Sequence, residues 1–515
     1  MELEATSAAQ IYRRRPPGYP GAFSVVGGSD NPATWGDTQG RMSVSHGGPG
    51  DFPRVTASTG APRALPRATA LNPRRPETAA PASTATLDSV RPLFKDRAIV
   101  LNKRSGASRM SEHSGQPGEW PAVSDEDVRW TLPAELEGRV AITDVVRLEA
   151  RPYRAAIAPT IADLDPYRYL TAARADDAAS AAAEISAFDR DVADLPVPMP
   201  AVLLRTESAS SSQIEHLTAN ARNLATAALG LRAGENAEVV ADNAAAMRRA
   251  LDLAGPLTRD QILSIHETLL RRSDPEIAGS FRTGPVWIGR PDLSPHGADF
   301  IPPRWERVED SVSDLVAFAA RRDMNGLVQG ALAHAQFETI HPFADGNGRT
   351  GRAIVHSILR ATGFARHTTV PVSSGLLGDT GGYFRALTSY REGDIDPIVA
   401  TFAGAARRAV ANGRQLAADT AAIHEEWQRA IRARRDSGAW RLADHLFAQP
   451  VVNSAYVERF LGSSRQGAFN AIATLVTAGA LHHGSADRRN QVWHSREVLD
   501  AMDAFAARAT RRNLG

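Results

Sequence analysis

Apolar residues repeat near the 3.6-residue period of a helix over much of this chain and seldom alternate as a strand would. Alanine-rich periodicity over 171–195 predicts a long helix, and helical patterns dominate from about 210 to 435. Within that span Leu327, Val328, Ala331, Leu332, Ala335 and Ile340 form one apolar series. Pro342 closes it, because proline biases the residue before it away from helical angles. Ala353, Ile354, Val355, Ile358 and Leu359 form a second series, so two helices flank the segment between them. Val197 to Ala201 reads as a turn or extended connector. Val286, Trp287 and Ile288, bounded by glycines, predict a short β-hairpin. Near the C-terminus, 442–447, 454–461 and a stretch from Ser464 to about Gly479 predict three helices. Two strands, 481–483 and 491–493, then flank the polar stretch GSADRRN. The first 118 residues are rich in Gly, Pro, Ser, Thr and Ala, lack such patterns, and bury too little to fold. The expected class is mainly α. It divides into a disordered low-complexity segment (1–118), a helical region (119–205), a helical core (206–435) and a C-terminal α+β unit (436–515).

Composition narrows this picture only modestly. A chain of 515 residues with 43% hydrophobic content supports more than one domain. The formal net charge of +1 gives no global pull toward nucleic acid or an anionic membrane. Without cysteine there are no disulfides and no thiolate metal sites. The start, MELEATSAAQIYRRRPPGYPG, has no apolar h-region, and no run reaches membrane-spanning length. A cytoplasmic location with no membrane partner is the expectation.

Chemistry concentrates between the two central helices, where the chain reads HPFADGNGRTGR from His341 to Arg352. His341 falls at a helix end and titrates in a range suited to general-base work. Gly346, Asn347 and Gly348 tolerate positive φ, so successive N–H groups can turn inward as an anion nest. The N-terminus of the following helix faces the same space and favours anions. Arg349 and Arg352 are three apart and share one face of its first turn, where guanidinium forks suit phosphate oxygens. Asp345 is a hard oxygen donor beside that pocket, as a Mg²⁺ shared with substrate phosphates needs.

This string resembles the signature of Fic-domain proteins, HPFx[D/E]GNGRxxR, with every specified position filled. The resemblance implies AMP transfer from ATP to a Ser, Thr or Tyr hydroxyl of a target protein, with self-modification as a readout. It assigns His341 to deprotonating the attacking hydroxyl and Asp345 to holding Mg²⁺ against the α- and β-phosphates. The backbone of Gly346, Asn347 and Gly348 is assigned to the phosphates, Arg349 to the transferred portion and Arg352 to the γ-phosphate. Upstream, Ser211, Ser212 and Glu215 resemble the family's inhibitory motif [S/T]xxxE[G/N], whose glutamate pairs with the second motif arginine, here Arg352. A carboxylate there competes with phosphate for one fork. His216 departs from the Gly or Asn of that motif. Val286, Trp287 and Ile288 resemble the family's target-docking flap, which holds a peptide by β-augmentation. Tyr383 falls where an aromatic beside the nucleotide base is common.

The 436–495 pattern looks like a winged helix, with Arg465 and Gln466 at its third helix and Arg488 and Arg489 in its wing. Basic density is thin, so DNA is a secondary expectation and an interaction module the primary one. Oligomerisation is compatible with the sequence. Two other readings stay open. One is a Fic enzyme that moves another phosphate-bearing group or removes AMP. The other is a winged-helix DNA-binding regulator with a sensory Fic core.

Overall fold

A computed structural model describes residues 118–131, 148–252, 255–289, 294–484 and 491–511. The low-complexity segment before Gly118, and the wing residues Arg488 and Arg489, lie outside the described residues. The described chain is mainly helical, with two small antiparallel sheets.

The region expected to be helical opens instead with a strand pair, β1 (Ser124–Val128) against β2 (Tyr153–Ile157). Only one strand carries the apolar signal: Tyr153 and Ala155 turn inward onto Trp130 and Ile301, whereas SDEDV in β1 is largely exposed. Helix α1 (Ala172–Ala193) follows, capped by the Thr171 hydroxyl, which accepts from Arg174 N at 3.2 Å. It buries Ala178, Ala181, Ile185, Phe188 and Val192, a stripe at helical spacing. Helix α2 (Met199–Ile214) begins inside the expected connector. Pro200 falls in its first turn, where its missing N–H costs no hydrogen bond.

Helices α3 (Ala221–Ala228), α4 (Glu235–Asp252) and α5 (Arg259–Leu270) precede the loop that carries Val286, Trp287 and Ile288. Among the described residues of that loop the expected hairpin reduces to one antiparallel bridge between Ile288 and Phe300. Pro285 has no N–H to extend a ladder, and Val286 turns into the interior. Helix α6 (Val308–Ala320) leads to α7 (Gly326–Ile340), whose 15 residues are all buried. A helix enclosed on every side is the centre of the fold. Helix α8 (Asn347–Ala361) lies against it. The approach is close enough that a Cβ on Gly351 would sit 3.0 Å from His334 Nδ1 and 3.1 Å from Glu338 Oε1. Helices α9 (Val372–Leu376), α10 (Thr380–Arg391) and the long α11 (Asp396–Ala430) complete this layer.

The C-terminal part runs α12 (Gly438–Leu446), β3 (Val451–Asn453), α13 (Ser454–Leu461), α14 (Arg465–Thr477), β4 (His482–His483), β5 (Val492–His494) and α15 (Arg496–Ala509). Its sheet has the order β3-β5-β4, with Val452 opposite Trp493 and His483 opposite Trp493. Helix α15 folds back on the core. Asn412 donates to Phe505 O at 3.1 Å, and the Ala221 N–H donates to Asp503 Oδ1 at 3.0 Å. The buried apolar cluster therefore runs without a break from Trp120 to Phe505. No helix among the described residues is long and apolar enough to cross a membrane.

Candidate active site

Helix α7 ends at His341, which takes the left-handed conformation (φ 49°, ψ 61°) while its N–H donates to Phe337 O at 2.8 Å. The following proline disfavours right-handed helical angles here, and histidine is among the residues that tolerate the left-handed alternative. A buried arginine holds the turn. Arg282 Nε donates to His341 O at 2.8 Å, its Nη1 to Gly284 O at 3.1 Å and its Nη2 to Ile340 O at 3.3 Å and to Pro303 O. The Arg282 N–H adds a bond to Pro342 O at 3.0 Å. One guanidinium thus ties the loop after α5 to the histidine's own carbonyl.

The next turn is locked from two sides. Asn347 Nδ2 donates to Phe343 O at 2.8 Å and its Oδ1 accepts from Phe343 N at 2.9 Å. His266 stacks on the Phe343 ring at 3.7 Å. Its Nδ1 accepts from Gly279 N at 3.0 Å, so its Nε2 carries the proton and donates to Asp345 O at 3.0 Å. Gly346 (φ 75°) then starts α8, whose first turn carries Asn347, Gly348 and Arg349. Asp345 Oδ1 accepts from Gly346 N at 2.5 Å and lies 3.4 Å from Arg349 Nη2. Arg349 Nη1 is buried without a hydrogen-bond partner among the described residues.

Arg352, one turn further on, is buried against α2. Its Nε donates to Ser211 Oγ at 2.9 Å, and its Nη2 to Ser211 O at 2.8 Å and to Glu215 Oε1 at 2.8 Å. The Glu215 carboxylate lies directly over the start of α8: a Cβ on Gly348 would fall 2.1 Å from its Oε1. Below it, Glu207 is fully buried and accepts from His356 Nε2 at 2.7 Å and from Ser373 N at 2.9 Å. Glu207, Ser211 and Glu215 follow at i, i+4 steps, so one face of α2 meets Arg352 and His356 of α8. Ser212 lies beside this face, where its Oγ accepts from Asn243 Nδ2 at 3.0 Å. His216, just past the helix end, has φ 58°.

Burial dominates the electrostatics. Desolvation pulls the His341 imidazole down to about 3, reinforced by the Arg282 and Arg391 guanidiniums. Burial likewise lowers His266, to about 4. The Glu338 carboxyl is pushed up to about 7 by desolvation, with Glu215 adding to the rise and Arg352 and Arg391 opposing it. Its Oε2 lies 3.7 Å from His341 Nδ1, and among the described residues neither that nitrogen nor Glu338 Oε1 has a hydrogen-bond partner. Burial works to lower Arg352, but the adjoining Glu215 carboxylate outweighs it and holds the guanidinium above its ordinary value.

His341, Asp345, Gly346, Asn347, Gly348, Arg349, Arg352 and Glu215 therefore converge around the N-terminus of α8. Tyr383 does not offer a face to a base. It is 1% exposed, its hydroxyl lies 2.6 Å from His334 Nε2, and its ring packs at 5.8 Å from that imidazole. Val286 is buried, and Ile288 spends its N–H and C=O on Phe300, at 2.8 and 3.1 Å. Among the described residues no group of three or more His, Asp or Glu side chains could enclose a metal. Asp345 supplies one carboxylate. That donor set fits a Mg²⁺ completed by substrate phosphates and water, and not a protein cage. Sequence reading missed Arg282, His266 and Glu338.

Residues 256–359 match the Fic/DOC family. The chain is similar to the protein adenylyltransferase fic-1 of Caenorhabditis briggsae, with 31% identity over 143 residues, or 27% of this chain and 25% of the relative. It is similar also to the protein adenylyltransferase Fic of Nematostella vectensis, with 29% identity over 157 residues, or 30% of this chain and 33% of the relative. The match thus spans a quarter to a third of the length of these curated relatives. Among solved structures, a Fic family protein from Desulfovibrio desulfuricans G20 aligns with a TM-score of 0.41 and 22% identity, covering 64% of this chain and 97% of that chain. Fic-1 from C. elegans aligns with a TM-score of 0.38 and 21% identity, covering 47% and 72%.

Proposed function

From a Fic domain at residues 256–359, we propose that this chain is a protein adenylyltransferase that moves AMP from ATP to a Ser, Thr or Tyr hydroxyl of a target protein. One observation carries the reading. A neutral buried imidazole, a partly exposed carboxylate and two arginines surround one helix N-terminus, a ready site for a polyphosphate. In this reading His341 takes the proton of the target hydroxyl. Burial keeps the ring unprotonated at neutral pH, so the site is open to a proton, at a cost in basicity that the departing charge of the reaction must offset. The hydroxyl oxygen forms a bond to the α-phosphorus, the bond from that phosphorus to the β-bridging oxygen breaks, and pyrophosphate leaves. The amides of Gly346, Asn347 and Gly348 and the arginines hold the phosphates in line. Asp345 would hold Mg²⁺, which supplies charge neutralisation on the phosphates.

Glu215 is the proposed brake. It occupies the space over Gly348 and one nitrogen of Arg352, where a γ-phosphate would dock. Val286, Trp287 and Ile288 lie on the loop that Arg282 ties to His341, which supports a target-docking role for that edge. The order α12-β3-α13-α14-β4-β5 supports reading the C-terminal unit as a winged helix that serves as an interaction module. Incubating the purified chain with a lysate and ATP labelled at the α- or the γ-phosphate tests the activity. Label transferred to protein from α-labelled ATP alone, and lost in His341→Asn, is the expected result. Label from the γ position would mean phosphoryl transfer, and none from either would remove the reading.

A further inference from the structure

Helix α2 has a second working side. Opposite the Glu207–Ser211–Glu215 face, Arg205 lines two adjoining cavities of ≈ 280 and ≈ 350 Å³. The larger lies between α2, α4 and the C-terminal unit. Its polar lining is Arg205, Ser208, Arg248, His445, Gln449 and Tyr456, and the rest is Ala, Leu and Val. Among the described residues no Asp or Glu lines it.

Arg205 is the unusual member. Among the described residues its only hydrogen bond is from Nη2 to Gln449 Oε1, at 2.8 Å, and its Nη1 is buried without a partner. The acceptor orientation of Gln449 is fixed, because its Nε2 donates to Ala225 O and Val451 O, both at 2.7 Å. Arg248, an exposed rim residue, adds a second positive charge and repels the first. His445 adds no positive charge at neutral pH: burial and Arg205 lower its pKa, and its Nε2 lies 2.6 Å from the Tyr456 hydroxyl. A desolvated guanidinium with only a neutral partner is costly, and folds normally pair it. Arg352 has Glu215, and Arg407 has Asp177 and Glu184; the buried Arg282, which has no carboxylate among the described residues, is met by four carbonyl oxygens, whereas Arg205 has one amide oxygen.

We propose that this cavity binds a small oxyanion, a phosphoryl or carboxylate head with a short apolar body, held by Arg205 and Arg248 against the Leu204, Leu224 and Val240 wall. The volume stands at the lower end for small-molecule pockets, and the mix of apolar wall with few convergent polar groups is their usual composition. Helix α2 then carries a ligand site on one side and the candidate active site on the other. The binding claim is independent of the proposed transferase activity.

The test is calorimetric titration of the full chain with inorganic phosphate and, separately, with butyrate. An Arg349→Ala background weakens competing anion binding at the start of α8 by removing one guanidinium, and the cavity variants tell the two places apart. Single-site binding of either anion is expected; the one that binds identifies the head group. Arg205→Met should weaken it at least tenfold, and Arg248→Ala, at an exposed position, severalfold. Ala245→Leu fills the cavity with Arg205 intact and should abolish binding, which covers the case where Arg205→Met does not fold. Absence of binding by both anions up to about 10 mM overturns the proposal, as does binding that survives both Arg248→Ala and Ala245→Leu unchanged.

Discussion

Replacing Glu215 with alanine should raise ATP affinity by roughly tenfold. The size follows from the contact it removes. Glu215 Oε1 takes one charge-assisted hydrogen bond, 2.8 Å from Arg352 Nη2, and its side chain is 26% exposed beside a guanidinium that is 3% exposed. Such bonds contribute about 1.5–3 kcal/mol, and partial solvent screening of the carboxylate argues for the low end. About 1.4 kcal/mol is a factor of ten. Arg352 does not collapse when the carboxylate goes, because Ser211 still accepts from its Nε and Nη2, at 2.9 and 2.8 Å. Alanine is the cleaner substitution than glycine, since Glu215 has φ −89° and needs no special backbone freedom. The assay is titration with ATP and Mg²⁺ by calorimetry, paired with protein labelling from α-labelled ATP. A control separates competition from simple loss of the ion pair. Gly348→Ala places a Cβ 2.1 Å from Glu215 Oε1, so it expels the carboxylate but also fills the space a phosphate needs. It should break the pair without gaining ATP affinity. If Glu215→Ala binds ATP no tighter than the parent and labels nothing more, the carboxylate is not a competitor for Arg352 and the inhibitory reading fails.

Other expectations follow from the same geometry. His341→Asn should abolish label transfer while the melting temperature stays near that of the parent, because asparagine tolerates the left-handed φ of 49° found there; residual transfer would mean another base. Glu338→Gln should stabilise the protein at pH 8 and not at pH 4.5. The Glu338 carboxyl is raised from 4.5 to about 7, so its folded state holds a proton that the unfolded state releases, and stability is lost as pH rises through that window. The shift corresponds to at most about 3 kcal/mol, read from thermal melts across pH; equal melts at both pH values would show that the site ionises freely. His216→Gly should raise stability by up to about 1 kcal/mol in urea titration, because a non-glycine side chain is strained at φ 58°. A loss of stability would show the histidine side chain makes a compensating contact.

Local spacing made much of the candidate site readable. His341 through Arg352 are neighbours in the chain, so a helix end, a tight turn and a helix start bring them together whatever surrounds them. The α7 pattern was equally plain, though its polar residues gave no hint that every side of it is covered. Contacts between distant segments were not readable in this way. Arg282 looks like any arginine in a Gly-rich loop until Pro303, Ile340 and His341 carbonyls surround it. His266 carries no local mark of its stacking on Phe343. Tyr383 shows the same limit: its position in α10 fixes which side of the helix it takes, and packing against His334 makes that side interior. The β1 strand escaped notice because Ser-Asp-Glu-Asp has no apolar alternation, and backbone pairing with β2 alone defines it. Glu215 was reachable only through resemblance, since its partner Arg352 is far away in the chain.

The arrangement of α2 separates an anchor from a release point. Glu207 is fully enclosed, with bonds from His356, the Ser373 amide and the Ser373 hydroxyl at 2.7, 2.9 and 2.5 Å, so the body of the helix is held to α8 and α9. Glu215 stands at the C-cap, partly exposed, where the helix hydrogen bonds have ended. Breaking its contact requires motion of one side chain or one last turn, whereas undocking Glu207 would strand a buried carboxylate. A polyphosphate competing for Arg352 therefore meets the weaker of the two attachments. The residue that follows sets how weak it is. With a histidine held at φ 58°, the turn beyond Glu215 stores strain that local opening releases. Glycine at that position would remove the strain and deepen the docked state. On the proposed reading, His216→Gly and Glu215→Ala must therefore shift ATP affinity in opposite directions, down for the first and up for the second. Parallel shifts would mean that the turn and the carboxylate do not act on the same equilibrium.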